Sequence, residues 1–237
     1  MLLLLLLYTW YCSVVQRISG EAQDPSIGCW PALIQIAVVG CGSTGLFLAA
    51  GLAASGYKPI LFCSHDEAVA AIAANGIRVV GHGEAYARVS AAHVSLAQPQ
   101  YKLAFLAFRL NGLREGLKVA SQLLSSDALG IVLLQPSPLA LEEAESAGFP
   151  IAGFLHLGTC VWKITSSTVE WSGNGFAVFA GLNDAGRVVM DIAKVYRLDA
   201  RLYGSEKIGS VAWDALSVAA SVQPVSALLG GCSIKAR

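Results

Sequence analysis

Residues 36–56 read IAVVGCGSTGLFLAAGLAASG, and no other stretch limits the fold of this chain so strongly. A short apolar run stops at Gly40, glycines recur at Gly42 and Gly45, and an apolar segment with helical spacing starts at once. With 24 glycines in 237 residues, the G-x-G-x-x-G spacing carries little weight alone. Its place between a buried strand and a helix carries more. There the first glycine permits a tight turn, the second lets backbone approach a pyrophosphate, and the third lets the helix pack close to the strand. The unpaired N–H groups and partial positive charge of the helix's first turn favour an anion. Gly40, Cys41, Gly42, Ser43, Thr44 and Gly45 are therefore a candidate phosphate loop for a dinucleotide. Cys41 reads as a small residue filling the turn or, with a thiol pKa lowered near a helix N-terminus, as a redox-sensing group.

The rest of the chain supplies the context such a loop needs. Apolar runs at 33–39, 59–63, 102–108 and 130–135 predict strands, and the segments 43–55, 65–76, 112–124 and 139–147 predict helices between them. Strands alternating with helices of this length give parallel β-α-β units, and right-handed crossovers wind them into a doubly wound α/β sheet of the Rossmann type. Apolar residues make up 55% of the chain and charged residues only 14%, which suits strands buried on both faces. Two short extended pieces, IRVV and AYARVS, precede the third of these strands. After Pro150 the pattern tightens: IAGFLH, TCVWKIT, STVEW and GFAVFAG predict close-set strands added antiparallel at the sheet edge, with Ser-Gly-Asn-Gly at 172–175 as a turn. Helices follow at 184–197 and at 205–223, the second ended by Pro224. The chain thus divides into a leader (1–33), a dinucleotide-binding domain (34–204) and the start of an all-helical domain (205–237).

Lys and Arg balance Asp and Glu at 16 each, and no basic patch argues for nucleic acid. The six cysteines form no C-x-x-C pair and no metal-ligand spacing, so they are expected to be buried thiols in a reducing, cytoplasmic setting. The uncharged leader MLLLLLLYTWYCSVV is shorter than a bilayer span and lacks preceding positive residues. A targeting segment, a plain extension and a membrane anchor all remain open for it, so residues 1–22 leave secretory or organelle targeting open. No membrane association is expected elsewhere.

The end of the second strand decides the type of nicotinamide cofactor. It reads Cys63-Ser64-His65-Asp66. Ser64 and His65 could donate to a ribose 2′-phosphate, while Asp66 could hold a 2′-hydroxyl or cap the next helix.

Several of these segments, in this order, resemble the ketopantoate reductase (2-dehydropantoate 2-reductase) family. They are residues 36–79, Ala-Asn-Gly at 74–76, LAFLAFR, LLQ, STVEWSGNGFAVFAGL, and Trp213 in the long helix before Pro224. The resemblance implies a Rossmann domain followed by a helical domain that also forms a dimer. It also implies NADPH as cofactor, with NAD not excluded, and reduction of ketopantoate or a related 2-keto acid to the hydroxy acid. By the same resemblance Arg109 stands where the family has a cofactor-side lysine, and the family's 2′-phosphate arginine falls at Ser64 or His65. The catalytic lysine falls at Ala215, an asparagine one turn on at Ala219, and a further asparagine at Gln223, a candidate substrate contact. Gln135-Pro136-Ser137 replaces the family's Gln-Asn-Gly. The helical part is short against the family pattern, so a dinucleotide-binding protein without turnover is the alternative expectation. Lys207 and His156 are the candidate replacements for the proton donor, each also readable as an ordinary solvated or half-buried residue.

Overall fold

A computed structural model describes residues 34–228. The elements in chain order are β1 (Ile36–Val39), α1 (Ser43–Ala54), β2 (Ile60–Cys63), α2 (Asp66–Asn75), β3 (Ile77–Gly81), β4 (Ala85–Ala87) and β5 (Ser90–His93). Then come β6 (Leu103–Leu106), α3 (Leu113–Leu123), β7 (Gly130–Leu133), α4 (Pro138–Ser146), β8 (Ile151–Lys163), β9 (Thr168–Gly181), α5 (Asn183–Tyr196), β10 (Asp199–Tyr203) and α6 (Ile208–Leu228). All ten strands belong to one sheet of order β4-β3-β9-β8-β7-β6-β1-β2-β5, with β10 also paired to β9. Six of them, β5-β2-β1-β6-β7-β8, run parallel. The chain order reverses between β1 and β6, so a crevice opens outside their carboxyl ends, where dinucleotides bind in such sheets.

Burial on both faces explains the apolar composition. In β1, Ile36 and Val38 join one core cluster, and Ala37 and Val39 join the other. The same alternation runs through β6, with Leu103 and Phe105 opposed to Ala104 and Leu106. Helix α1 is buried continuously from Gly45 to Leu52. Its Phe47 ring stacks on Tyr196 of α5 at 3.9 Å, and the Tyr196 hydroxyl donates to the Phe47 carbonyl at 2.7 Å. Gly51 makes this approach possible, because a Cβ there would lie 2.7 Å from the Tyr196 ring.

Four expectations need correcting. The segments after Pro150 are two long strands rather than four short ones, and Ser172–Gly175 lies inside β9. The glycines fall at a register shift opposite Gly158–Cys160, which interrupts the ladder without ending the hairpin. Only β9 runs antiparallel there; β8 is the sixth parallel strand. The helix expected to stop at Pro224 continues to Leu228. Proline removes the bond to the carbonyl of Ala220, a residue that is exposed, so water can serve that oxygen. Finally, the cysteines are not scattered thiols: Cys41 and Cys63 form a disulfide with Cα atoms 5.2 Å apart, and no cysteine among the described residues is free. Cys41 is therefore half of a bridge, not a small turn filler. Its pairing follows from topology, since Val39 and Phe62 are partners in register and the two cysteines sit just past them. Strand β10 was absent from the expectations. The leader lies outside the described residues, and no helix among those described is long and apolar enough to cross a membrane.

Candidate cofactor site

The strand–loop–helix unit forms as its glycines dictate. Gly40 has φ +111°, and its N–H donates to the Phe62 carbonyl at 2.9 Å. A Cβ on Gly40 would stand 2.5 Å from the Ala107 carbonyl oxygen, so the loop passes directly over the end of β6. A Cβ on Gly45 would overlap the Gly40 carbonyl, whereas one on Gly42 would meet nothing within 4 Å. Gly45 is thus a packing glycine, and Gly42 faces open space. No side chain caps the first turn of α1 and no acid lies in it, so its N–H groups are left for a ligand.

Gly40, Cys41, Gly42, Ser43 and Thr44 line a cleft of about 510 Å³. Ser64 and His65 form its β2 side, and Ala107, Phe108 and Arg109 its β6 side. Gly45 lies buried behind the loop. Asp66 is exposed, does not line the cleft and is not the helix cap: it is the first residue of α2, where its carboxylate suits the positive end of the dipole. A groove of about 620 Å³ lies between α3 and α4, where Arg114 and Glu143 approach to 3.6 Å. It is larger but open and mostly apolar, and it touches neither the loop nor a strand end.

Lys163 and the clamp formed by Gln135 go beyond what the sequence indicates. Lys163, the last residue of β8, lines the cleft and donates from Nζ to the Cys41 carbonyl at 3.1 Å. Gln135 is buried; its Nε2 donates to the carbonyls of Leu106 at 2.8 Å and Phe108 at 3.0 Å, while Oε1 has no partner. Gln135 thereby fixes the backbone that leads into Arg109. The order of Leu-Gln at the end of β7 was a usable signal for it; nothing local marks Lys163.

The profile of the family described as Ketopantoate reductase PanE/ApbA matches residues 36–182. The chain belongs to the ketopantoate reductase family. Its match stops at the start of α5, so the family assignment rests on the dinucleotide-binding half. Among solved structures, the D-mandelate dehydrogenase complex with NADH and anilino(oxo)acetate is similar with a TM-score of 0.69 and 19% identity, over 83% of this chain and 64% of that one. The 2-dehydropantoate 2-reductase of Methylococcus capsulatus gives 0.67 and 18%, over 84% and 65%. That of Geobacter metallireducens GS-15 gives 0.66 and 20%, over 83% and 66%. This chain therefore spans a little under two thirds of the length of each. No curated protein matches it in sequence.

Ala215, where the resemblance implies the family's lysine, is completely buried on α6, in one core cluster with Phe154, Val211 and Ala212. Ala219 is half-buried, and neither lines the cleft. The Gln223 side chain lies outside the described residues. Lys207 precedes α6 in a short 3-10 turn and also stays off the cleft lining. His156 sits in β8, edge-on to the Phe176 ring at 5.3 Å. Burial holds its pKa below the ordinary imidazole value near 6.5, with Asp214 pulling the other way. The folded state therefore resists protonating His156. Between that lowered value and 6.5 the unfolded chain binds more protons, so stability falls as pH drops through this window. Thermal melts from pH 8 to pH 5 should show this loss, and His156→Gln should flatten it; an unchanged profile in the variant would refute the assignment.

Proposed function

We propose that the cleft binds a nicotinamide dinucleotide, NADP(H) in preference to NAD(H), and serves the reduction of ketopantoate or a related 2-keto acid. The single observation carrying this reading is the loop geometry. An uncapped helix start faces a cleft in which Gly42 leaves backbone uncovered, between the ends of β1, β2 and β6. These residues fit a pyrophosphate, and Arg109 adds a forked cation on the β6 side. NADH in the D-mandelate dehydrogenase complex of the same fold supports a nicotinamide cofactor. When bound, the cofactor supplies hydride to the substrate's carbonyl carbon. The chain's residues then have to orient the ring, exclude water and protonate the oxygen. Gln135 contributes to orientation by setting the backbone before Arg109.

A second reading, binding without turnover, is favoured by one observation: Ala215 is buried and carries no proton. One experiment separates the two. The purified chain is titrated with NADPH, ketopantoate is added, and nicotinamide absorbance is followed. Binding with oxidation is the expected result. Binding without oxidation leaves only the second reading, and no binding refutes both.

A further inference from the structure

We propose that Lys163 is the residue that selects NADP(H), by binding the ribose 2′-phosphate from across the cleft. The inference rests on the NADP(H) reading above and names the group that carries it. In dinucleotide folds the ribose 2′ substituent lies at the corner between the glycine loop and the end of the second strand. In this chain that corner is closed by the Cys41–Cys63 disulfide, which ties the second residue of the loop to the last residue of β2. The corner's own side chains, Ser64 and His65, include no lysine or arginine, and Asp66 does not line the cleft.

The missing cation comes from elsewhere in the fold. Strand β8 has 13 residues against four in its neighbour β7, so it overshoots the sheet's carboxyl edge. Beyond the register shift between Gly158 and Cys160, Lys163 at the end of β8 meets the glycine loop. Its ammonium is held 3.1 Å from the Cys41 carbonyl oxygen, beside the disulfide corner. One of its three N–H groups is used there, and two are left for phosphate oxygens. The side chain is exposed, so little desolvation opposes binding. The anchoring bond means that little rotamer freedom remains to be lost. Arg109 follows β6, on the side of β1 away from β2; β8 lies farther along that same side, and only its overshoot and the bond to Cys41 bring Lys163 back to the loop.

The test uses the full chain and measures dissociation constants for NADPH and NADH by nicotinamide fluorescence. Wild type, Lys163→Met and Lys163→Arg are compared, and melting curves of each check folding. Loss of a charge-assisted phosphate bond should weaken NADPH by roughly 10- to 100-fold in Lys163→Met. NADH affinity should change less than about threefold, since no bond to it is removed. Lys163→Arg should recover most of the NADPH affinity. Adenosine 2′,5′-bisphosphate should lose competitive strength against the Met variant, and ADP should not. Equal weakening of NADPH and NADH would place Lys163 on the pyrophosphate and overturn the proposal, as would no change in either. If wild type binds neither dinucleotide, the cofactor reading itself fails. If wild type prefers NADPH and Lys163→Met keeps that preference, only the assignment to Lys163 fails.

Discussion

Replacing Gly45 with alanine will abolish detectable dinucleotide binding and lower the melting temperature by roughly 3–10 °C. The new Cβ would overlap the Gly40 carbonyl. Gly40 cannot yield, because its N–H is bonded to the Phe62 carbonyl and the loop already lies against the Ala107 carbonyl. Helix α1 cannot shift as a whole either, because Phe47 and Gly51 lock it onto Tyr196. Forcing an extra methyl into such a site costs about 1–3 kcal/mol. Relief comes only by withdrawing the first turn of α1, which carries the N–H groups of Ser43 and Thr44 away from the cleft. Gly42→Ala is the complementary variant. Its Cβ meets nothing in the fold, so the melting temperature should hold while binding falls, because the methyl stands where a pyrophosphate approaches. Calorimetric melts and an NADPH titration on both variants check the pair. A Gly45→Ala protein with wild-type stability and affinity would refute the packing argument.

The features legible in the sequence were those written in local periodicity. The run before Gly40, the glycine spacing and the apolar segment after it placed β1, the loop and α1 within three residues, because one strand and one helix were each specified by neighbours in the chain. The illegible features were those that depend on pairing between distant segments. Lys163 reaches Cys41, 122 residues away in sequence, only because β8 and β9 pair along their length. Ser-Gly-Asn-Gly has the composition of a turn, and no local signal distinguishes a turn from a bulge when the partner strand is unknown. The disulfide was hidden for a related reason: Cys41 and Cys63 become neighbours because β1 and β2 are adjacent and in register. Gln135 was intermediate, visible as a residue type at a strand end but not as the clamp on Phe108.

The largest effect is expected at position 215, where the resemblance implies a lysine. Ala215→Lys restores the residue that the resemblance calls for, yet it should unfold the chain more readily without speeding ketopantoate reduction. Ala215 has no exposed surface and shares its cluster with Phe154, Val211 and Ala212. A lysine there must either bury its ammonium or displace α6 from the sheet. Burial disfavours the charged form and drives the folded-state pKa below the ordinary value near 10.4. Buried lysines shift by about 3–5 units, equivalent to roughly 4–5 kcal/mol at neutral pH, or a fall of about 10 °C or more. The sign of the pH dependence identifies the cause. Between the lowered pKa and 10.4 the unfolded chain holds the proton and the folded chain does not, so the deficit should shrink as pH rises toward 10. Ala215→Met adds similar bulk without charge and should show a smaller deficit with no such slope. The cofactor cleft draws no lining residue from α6, so NADPH binding should survive in Ala215→Lys below its melting temperature. A variant with wild-type stability at pH 7 and faster ketopantoate-dependent NADPH oxidation would show that position 215 opens to the cleft. In this fold that position instead closes the second face of the sheet, and a face that packs against Phe154 cannot also present a charge to a substrate.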